Sequence, residues 1–155
     1  MSLEMNLLSE KITHLDLSEY TLVESGASVR DTIEKLRSEK HNCAFVMKDN
    51  NLVGIFTDRD VMRGVVDRPE VWDHPIDELM THDPQWISAD QEVGEALKMM
   101  DNLHFRNVPV KDGKGRVVGN LTHFALIRYL GDLFPKEVYN LPPDPDQYGE
   151  ERHGG

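Results

Sequence analysis

A single cysteine, Cys43, stands among 155 residues, so no disulfide can form within the chain and a reducing compartment suits it. It opens the apolar segment Cys43-Ala44-Phe45-Val46-Met47, where a buried structural thiol is expected rather than a reactive one. Long apolar runs are missing too, and none approaches the roughly 20 residues that span a bilayer. The start, Met1-Ser2-Leu3-Glu4-Met5-Asn6, has neither the basic lead nor the apolar stretch of a secretory signal. These absences predict a cytoplasmic protein with no membrane partner. Positive charge is scarce: 17 lysines and arginines face 28 aspartates and glutamates, for a formal net charge of −11. Such a surface repels phosphate backbones at long range, which argues against nucleic-acid binding. It leaves room for one small anion held by a few local cations or helix-start amides. The seven histidines are scattered, with no pair at metal-ligand spacing. No Ser/His/Asp or Cys/His set for nucleophilic catalysis stands out. The expectation is therefore no metal, no catalytic residue and no enzyme.

What is present is a soluble globular composition, 39% apolar and 29% charged, long enough for one compact unit or two small halves sharing a core. The halves resemble each other. Leu52-Val53-Gly54-Ile55-Phe56-Thr57-Asp58-Arg59-Asp60 returns as Val117-Val118-Gly119-Asn120-Leu121-Thr122-His123-Phe124-Ala125. Gly54 and Gly119 stand 65 positions apart, as do Thr57 and Thr122. Earlier in each half, Val29, Ile33 and Leu36 form a helical stripe that Val93, Leu97 and Met100 repeat. The Met99-Met100 pair is assigned to the core on the same stripe. A buried strand follows, Cys43 to Met47, matched by Val108-Pro109-Val110. Polar turns come next: Lys48-Asp49-Asn50-Asn51 and Asp112-Gly113-Lys114-Gly115. The closing helices take apolar faces from Val61, Met62, Val65 and Val66 in one half and from Leu126, Ile127 and Leu130 in the other.

Each half thus reads β-α-β-β-α, over Tyr20–Val66 and Gln85–Gly131. Strands this short cannot cover both sheet faces alone, so the fold class is α+β, with two pseudo-symmetric repeats packed sheet to sheet as one module. Residues 1–66 hold a leader and the first repeat, 67–79 a linker, 80–134 the second repeat and 135–155 an extended or disordered tail. Leu3 to Leu8 reads as a small amphipathic helix, and Pro75 to Met80 as a short helix with proline in its first turn. Tyr139 and Leu141 are candidates to anchor the start of the tail on the body.

With the repeat established, the chain resembles a tandem pair of cystathionine-β-synthase (CBS) domains, a Bateman module, from Ile12 to Phe134. Repeats of that family end in glycine, an apolar residue, any residue, Ser or Thr, two of any kind, then Asp. Gly54-Ile55-Phe56-Thr57-Asp58-Arg59-Asp60 fits every position. Leu79-Met80-Thr81-His82-Asp83-Pro84 resembles the family's Met-Thr lead-in, and Arg106-Asn107-Val108-Pro109-Val110 its basic residue before a Pro-Val strand. The resemblance implies a non-catalytic regulator that binds AMP, ADP or ATP, or else S-adenosylmethionine or NAD, between the repeats, with no obligatory cofactor. It also implies a homodimer and an unidentified protein effector acted on in trans.

An ionised carboxylate accepts hydrogen bonds from both hydroxyls of a ribose, which makes Asp60 the sugar-binding candidate. Thr57, at the expected N-cap, and the helix-start amides would meet a phosphate, with Arg59 and Arg63 adding charge. By resemblance, the adenine walls come from the other repeat, in Met80, Thr81, Pro84, Gln85 and Phe105, with His104 or Arg106 reaching the phosphates. Without a ligand, Thr57, Asp58 and Asp60 would still serve as helix-start residues, Phe105 as core, and His104 and Arg106 as solvated surface. The second copy keeps Thr122 as a cap but carries Ala125 where the acid belongs, so that cleft is expected to be empty or weak. The function that follows is an adenine-nucleotide sensor. The alternative is a dimerising scaffold or interaction module that needs no ligand.

Overall fold

The computed structural model describes residues 8–139, with side chains as far as Asp132. The first repeat runs β1 (Thr21–Glu24), α1 (Val29–Glu39), β2 (Cys43–Lys48), β3 (Asn51–Thr57) and α2 (Asp58–Gly64). The second runs β5 (Ile87–Ser88), α3 (Val93–Leu103), β6 (Asn107–Lys111), β7 (Val117–Thr122) and α4 (His123–Tyr139). Between them lies β4, Thr81–His82. In each repeat the first strand pairs parallel to the second through a crossover helix, and the second pairs antiparallel to the third through a tight turn. The architecture is α+β, in two sheets.

Local chemistry accounts for the elements. Ser28 caps α1 by accepting the Asp31 amide at 3.0 Å. Lys40 and His104 end α1 and α3 in the left-handed region, at φ 60° and 57°. The two repeats therefore keep the same strained corner without a glycine. Along β2 and β3 the side chains alternate. Ala44, Val46 and Phe56 enter a core with Val29 and Leu36 of α1, while Cys43, Phe45 and Ile55 cluster on the opposite face with Tyr20 and with Val117 of the other sheet. Tyr20 and Phe45 stack with ring centroids 4.9 Å apart. The Cys43 thiol is buried there, and burial pushes its pKa far above the usual range.

The connecting segments cross between repeats. Ile12 and Leu15 join the core of the second repeat, whereas Val71, Ile76 and Met80 join that of the first. Strand β4, read from sequence as part of the second repeat, hydrogen-bonds to β3 and forms the fourth strand of the first sheet. The two repeat glycines make room for these crossings. A Cβ on Gly54 would overlap the Met80 thioether, and one on Gly119 would come within 2.5 Å of Leu17 Cβ.

Two sequence readings change, and one gains detail. The closing helices do not bury their whole apolar stripe: Met62 and Ile127 remain 74% and 60% exposed, and Val66 also faces out. The short helix read after Pro75 is a single 3-10 turn, Ile76–Glu78. Helix α4 passes Gly131 and Pro135 and ends at Tyr139, so the first residues assigned to the tail are helical. The leader helix at 3–7 and the tail at 140–155 lie outside the described residues. No helix among the described residues is long and apolar enough to cross a membrane.

Candidate functional site

The corner where β3 passes into α2 presents the Asp60 carboxylate. Its Oδ2 accepts the Thr57 amide at 2.9 Å and the Thr57 hydroxyl at 3.4 Å. Its Oδ1 accepts the Thr81 hydroxyl at 3.4 Å, delivered by β4 from the neighbouring edge. The two hydroxyl contacts are long for O–H···O bonds, so the carboxylate retains accepting capacity toward a better donor. Burial raises the Asp60 pKa above its ordinary value, while the Thr57 amide, the two hydroxyls and the nearby Arg63 charge pull it back.

Facing Asp60 across a cleft of about 460 Å³ is the end of α3 and the start of β6. His104, Phe105 and Arg106 arrive there through the left-handed turn at His104, and Pro84 and Gln85 arrive from the segment after β4. Thr57, Arg59, Asp60, Arg63 and Thr81 complete the expected set. Phe105 also packs against the second core, so its reading as core and its place on the cleft wall both hold. Among the described residues, no carboxylate lies within ion-pair distance of Arg59, Arg63 or Arg106. Met80 is the exception to the expected set. It is 8% exposed and lies against Gly54 in the first core, because the crossing segment needs an apolar plug there.

Sequence reasoning missed Ile55, Asp58, Met62, Asn107 and Pro109, which also line this cleft. The signal for two of them was present: along β6, Val108 and Val110 enter the helix-side core, so Asn107 and Pro109 must face the other way. Among the described residues, no group of three or more His, Cys, Asp or Glu gathers to hold a metal ion.

A second cleft of about 370 Å³ lies at the pseudo-symmetric place. Lys40, His41 and Asn42 stand where His104, Phe105 and Arg106 stand in the first, and Thr122, Ile127 and Arg128 stand where Thr57, Met62 and Arg63 do. The Thr122 hydroxyl accepts the Ala125 amide at 3.0 Å, which is a helix cap and nothing more. Ala125 itself is 2% exposed and belongs to the second core. Beside this cleft, Asn120 replaces Ile55; its Nδ2 donates to the Glu19 carbonyl at 2.9 Å and to Asn107 Oδ1 at 3.0 Å.

Comparison with known proteins bears on this geometry. A family model described as the CBS domain matches residues 13–67 and 76–132. An uncharacterized 17.7 kDa protein of Acidianus ambivalens is 25% identical over 127 residues, covering 81% of this chain and 76% of that one. The CBS domain pair of protein MJ0100, solved with 5′-methylthioadenosine and S-adenosyl-L-methionine, superposes with a TM-score of 0.67 at 24% identity, over 78% of this chain and 98% of its own. CBSX2, solved in complex with AMP, superposes at 0.61 and 24% identity, over 73% and 88%. The match covers only 18% of the length of two Arabidopsis thaliana CBS domain-containing proteins.

Proposed function

The chain belongs to the CBS-domain family, and from that premise we propose that it is a regulatory module whose Asp60 cleft binds an adenosine-containing nucleotide of the AMP, ADP or ATP type. The observation that carries this reading is the half-buried Asp60 carboxylate at the mouth of a cleft walled by both repeats. Its oxygens would accept the two ribose hydroxyls in place of the long threonine contacts. Phe105 and Pro84 offer flat apolar surface for a base, and Arg59, Arg63 and Arg106 offer charge to phosphates. Structural relatives hold AMP, 5′-methylthioadenosine and S-adenosylmethionine, which are variations on one nucleoside.

A ligand shifts an equilibrium only through its differential affinity for the two states. A nucleotide touching both repeats senses their relative orientation, and the output is a change of surface read by a separate protein in the cytoplasm. Two chains would meet through the exposed apolar residues Met62, Val66, Phe124 and Ile127 of the closing helices and their ends. That same surface favours the alternative of a dimerising scaffold indifferent to ligand.

A thermal-shift screen with AMP, ADP, ATP, S-adenosylmethionine and NAD separates the two. A binder at a hundred times its dissociation constant stabilises by about 2.7 kcal/mol, and Asp60→Ala should remove most of that response. No response to any of the five, with Asp60→Ala melting like wild type in their presence, leaves the scaffold.

A further inference from the structure

The two clefts are not separate compartments. Asp58, Arg106 and Asn107 line both of them. The Arg106 carbonyl accepts the His123 amide at 3.2 Å, which ties its backbone to the start of α4 in the second cleft. Its guanidinium is exposed, and among the described residues no carboxylate stands within ion-pair distance.

The formal charges give this sharing a consequence. The Asp60 cleft sets three cations, Arg59, Arg63 and Arg106, against two carboxylates, Asp58 and Asp60. The Thr122 cleft sets Lys40, Arg106 and Arg128 against Glu19 and Asp58. Each is net positive by one charge, whether the shared Asp58 and Arg106 are both counted or both left out, and Arg106 is the cation on which both clefts can draw. In the second cleft Arg128 is already engaged with Glu19 at 3.1 Å, leaving Lys40 and Arg106 as its available cations. With the buried Ala125 in place of an acid, no carboxylate stands at the position equivalent to Asp60, and Glu19 is tied up with Arg128. The chemistry left suits a compact phosphoanion without a sugar.

We infer that the second cleft takes an inorganic phosphate or pyrophosphate, and that this anion weakens nucleotide binding in the Asp60 cleft by drawing on the shared Arg106. The inference rests on the nucleotide reading of the Asp60 cleft. It makes the nucleotide response depend on the level of free phosphoanion, through one side chain.

The test is calorimetric titration of AMP into the full chain at constant ionic strength, with and without excess pyrophosphate, in wild type, Lys40→Asn and Arg106→Gln. Lys40 lines only the second cleft, and asparagine tolerates its left-handed backbone. In wild type, pyrophosphate should weaken AMP about three- to tenfold, the scale of one partly solvated charge pair. In Lys40→Asn, AMP alone should bind as in wild type and the pyrophosphate effect should shrink toward none. Arg106→Gln should bind AMP more weakly and show no pyrophosphate effect. An unchanged wild-type affinity overturns the inference, and so does an equal weakening in wild type and Lys40→Asn, which would mean plain displacement inside the Asp60 cleft. Pyrophosphate titrated alone reads the second cleft independently: an event lost in Lys40→Asn supports the site, and no event refutes it. Absence of AMP binding in phosphate-free buffer is a different failure, that of the nucleotide reading itself.

Discussion

Asp60 and Ala125 occupy equivalent places three residues after equivalent threonines, yet their surroundings have diverged. Asp60 sits half-buried on a cleft wall, its carboxylate held by two threonines. Ala125 is turned into a packed core of Val108, Val110 and Leu121. The flanking positions follow suit, with Phe105 facing the first cleft where His41 faces the second, and Ile55 answered by the buried amide of Asn120. One cleft carries a carboxylate that caps the start of α2 through the Thr57 amide and still faces the cleft, with burial raising its pKa. The other has let its helix settle onto the sheet. Duplication supplies the geometry twice, and under the proposed reading the side chains decide which copy takes a nucleoside.

The sharpest way to break this comparison is to write the missing acid back. Ala125→Asp should not create a second nucleotide site, because its carboxylate would enter the second core. A loss of about 3 kcal/mol in denaturant unfolding is expected. A stable variant that binds two nucleotides would show instead that the two positions are interchangeable. The reverse change, Asp60→Ala, should weaken nucleotide binding by about 1.5–3 kcal/mol, tenfold or more in affinity, as read by calorimetry, with the fold retained.

The two glycines offer a structural version of the same contrast. Gly119→Ala should destabilise by about 1–3 kcal/mol, since its new Cβ meets the Leu17 Cβ and carbonyl close to the backbone. Gly54→Ala should cost less, because the atoms it meets belong to the flexible end of Met80. Equal melting temperatures for the two variants would count against the crossing arrangement.

The smallest effect concerns pH. The folded pKa of Asp60 is raised above 3.8, so its contribution to apo stability is fully present below the unfolded value and is lost as pH rises through the folded one. Asp60→Asn carries no such dependence. Relative to that variant, the ligand-free wild type should therefore lose ground as pH climbs from below 3.8 toward neutrality, and thermal melts of both across that range read the difference. A constant gap would mean that burial does not penalise this carboxylate.

Much of this was legible in the residues. The short apolar run from Cys43 to Met47 and the helical stripes at Val29 and Val93 are local patterns, and they specified the strands, the helices and the repeat. The pairing of Thr57 and Asp60 of one repeat with His104, Phe105 and Arg106 of the other came from the family resemblance rather than from any local pattern. Met80 was misplaced because nothing local says that a lead-in segment will plug the glycine of the preceding repeat. Met62, Val66 and Ile127 look like core from periodicity alone, but a stripe that wide cannot all face one small sheet. The sharing of Arg106 between clefts depends on how the repeats pack, which no spacing encodes.

The most direct test of the claim that one cleft per chain takes a nucleoside is the stoichiometry of AMP binding by calorimetry, run beside Asp60→Ala. One saturable event per chain, lost or weakened at least about tenfold in the variant, is the expected result. Two equal events per chain, or one that Asp60→Ala leaves untouched, would contradict it.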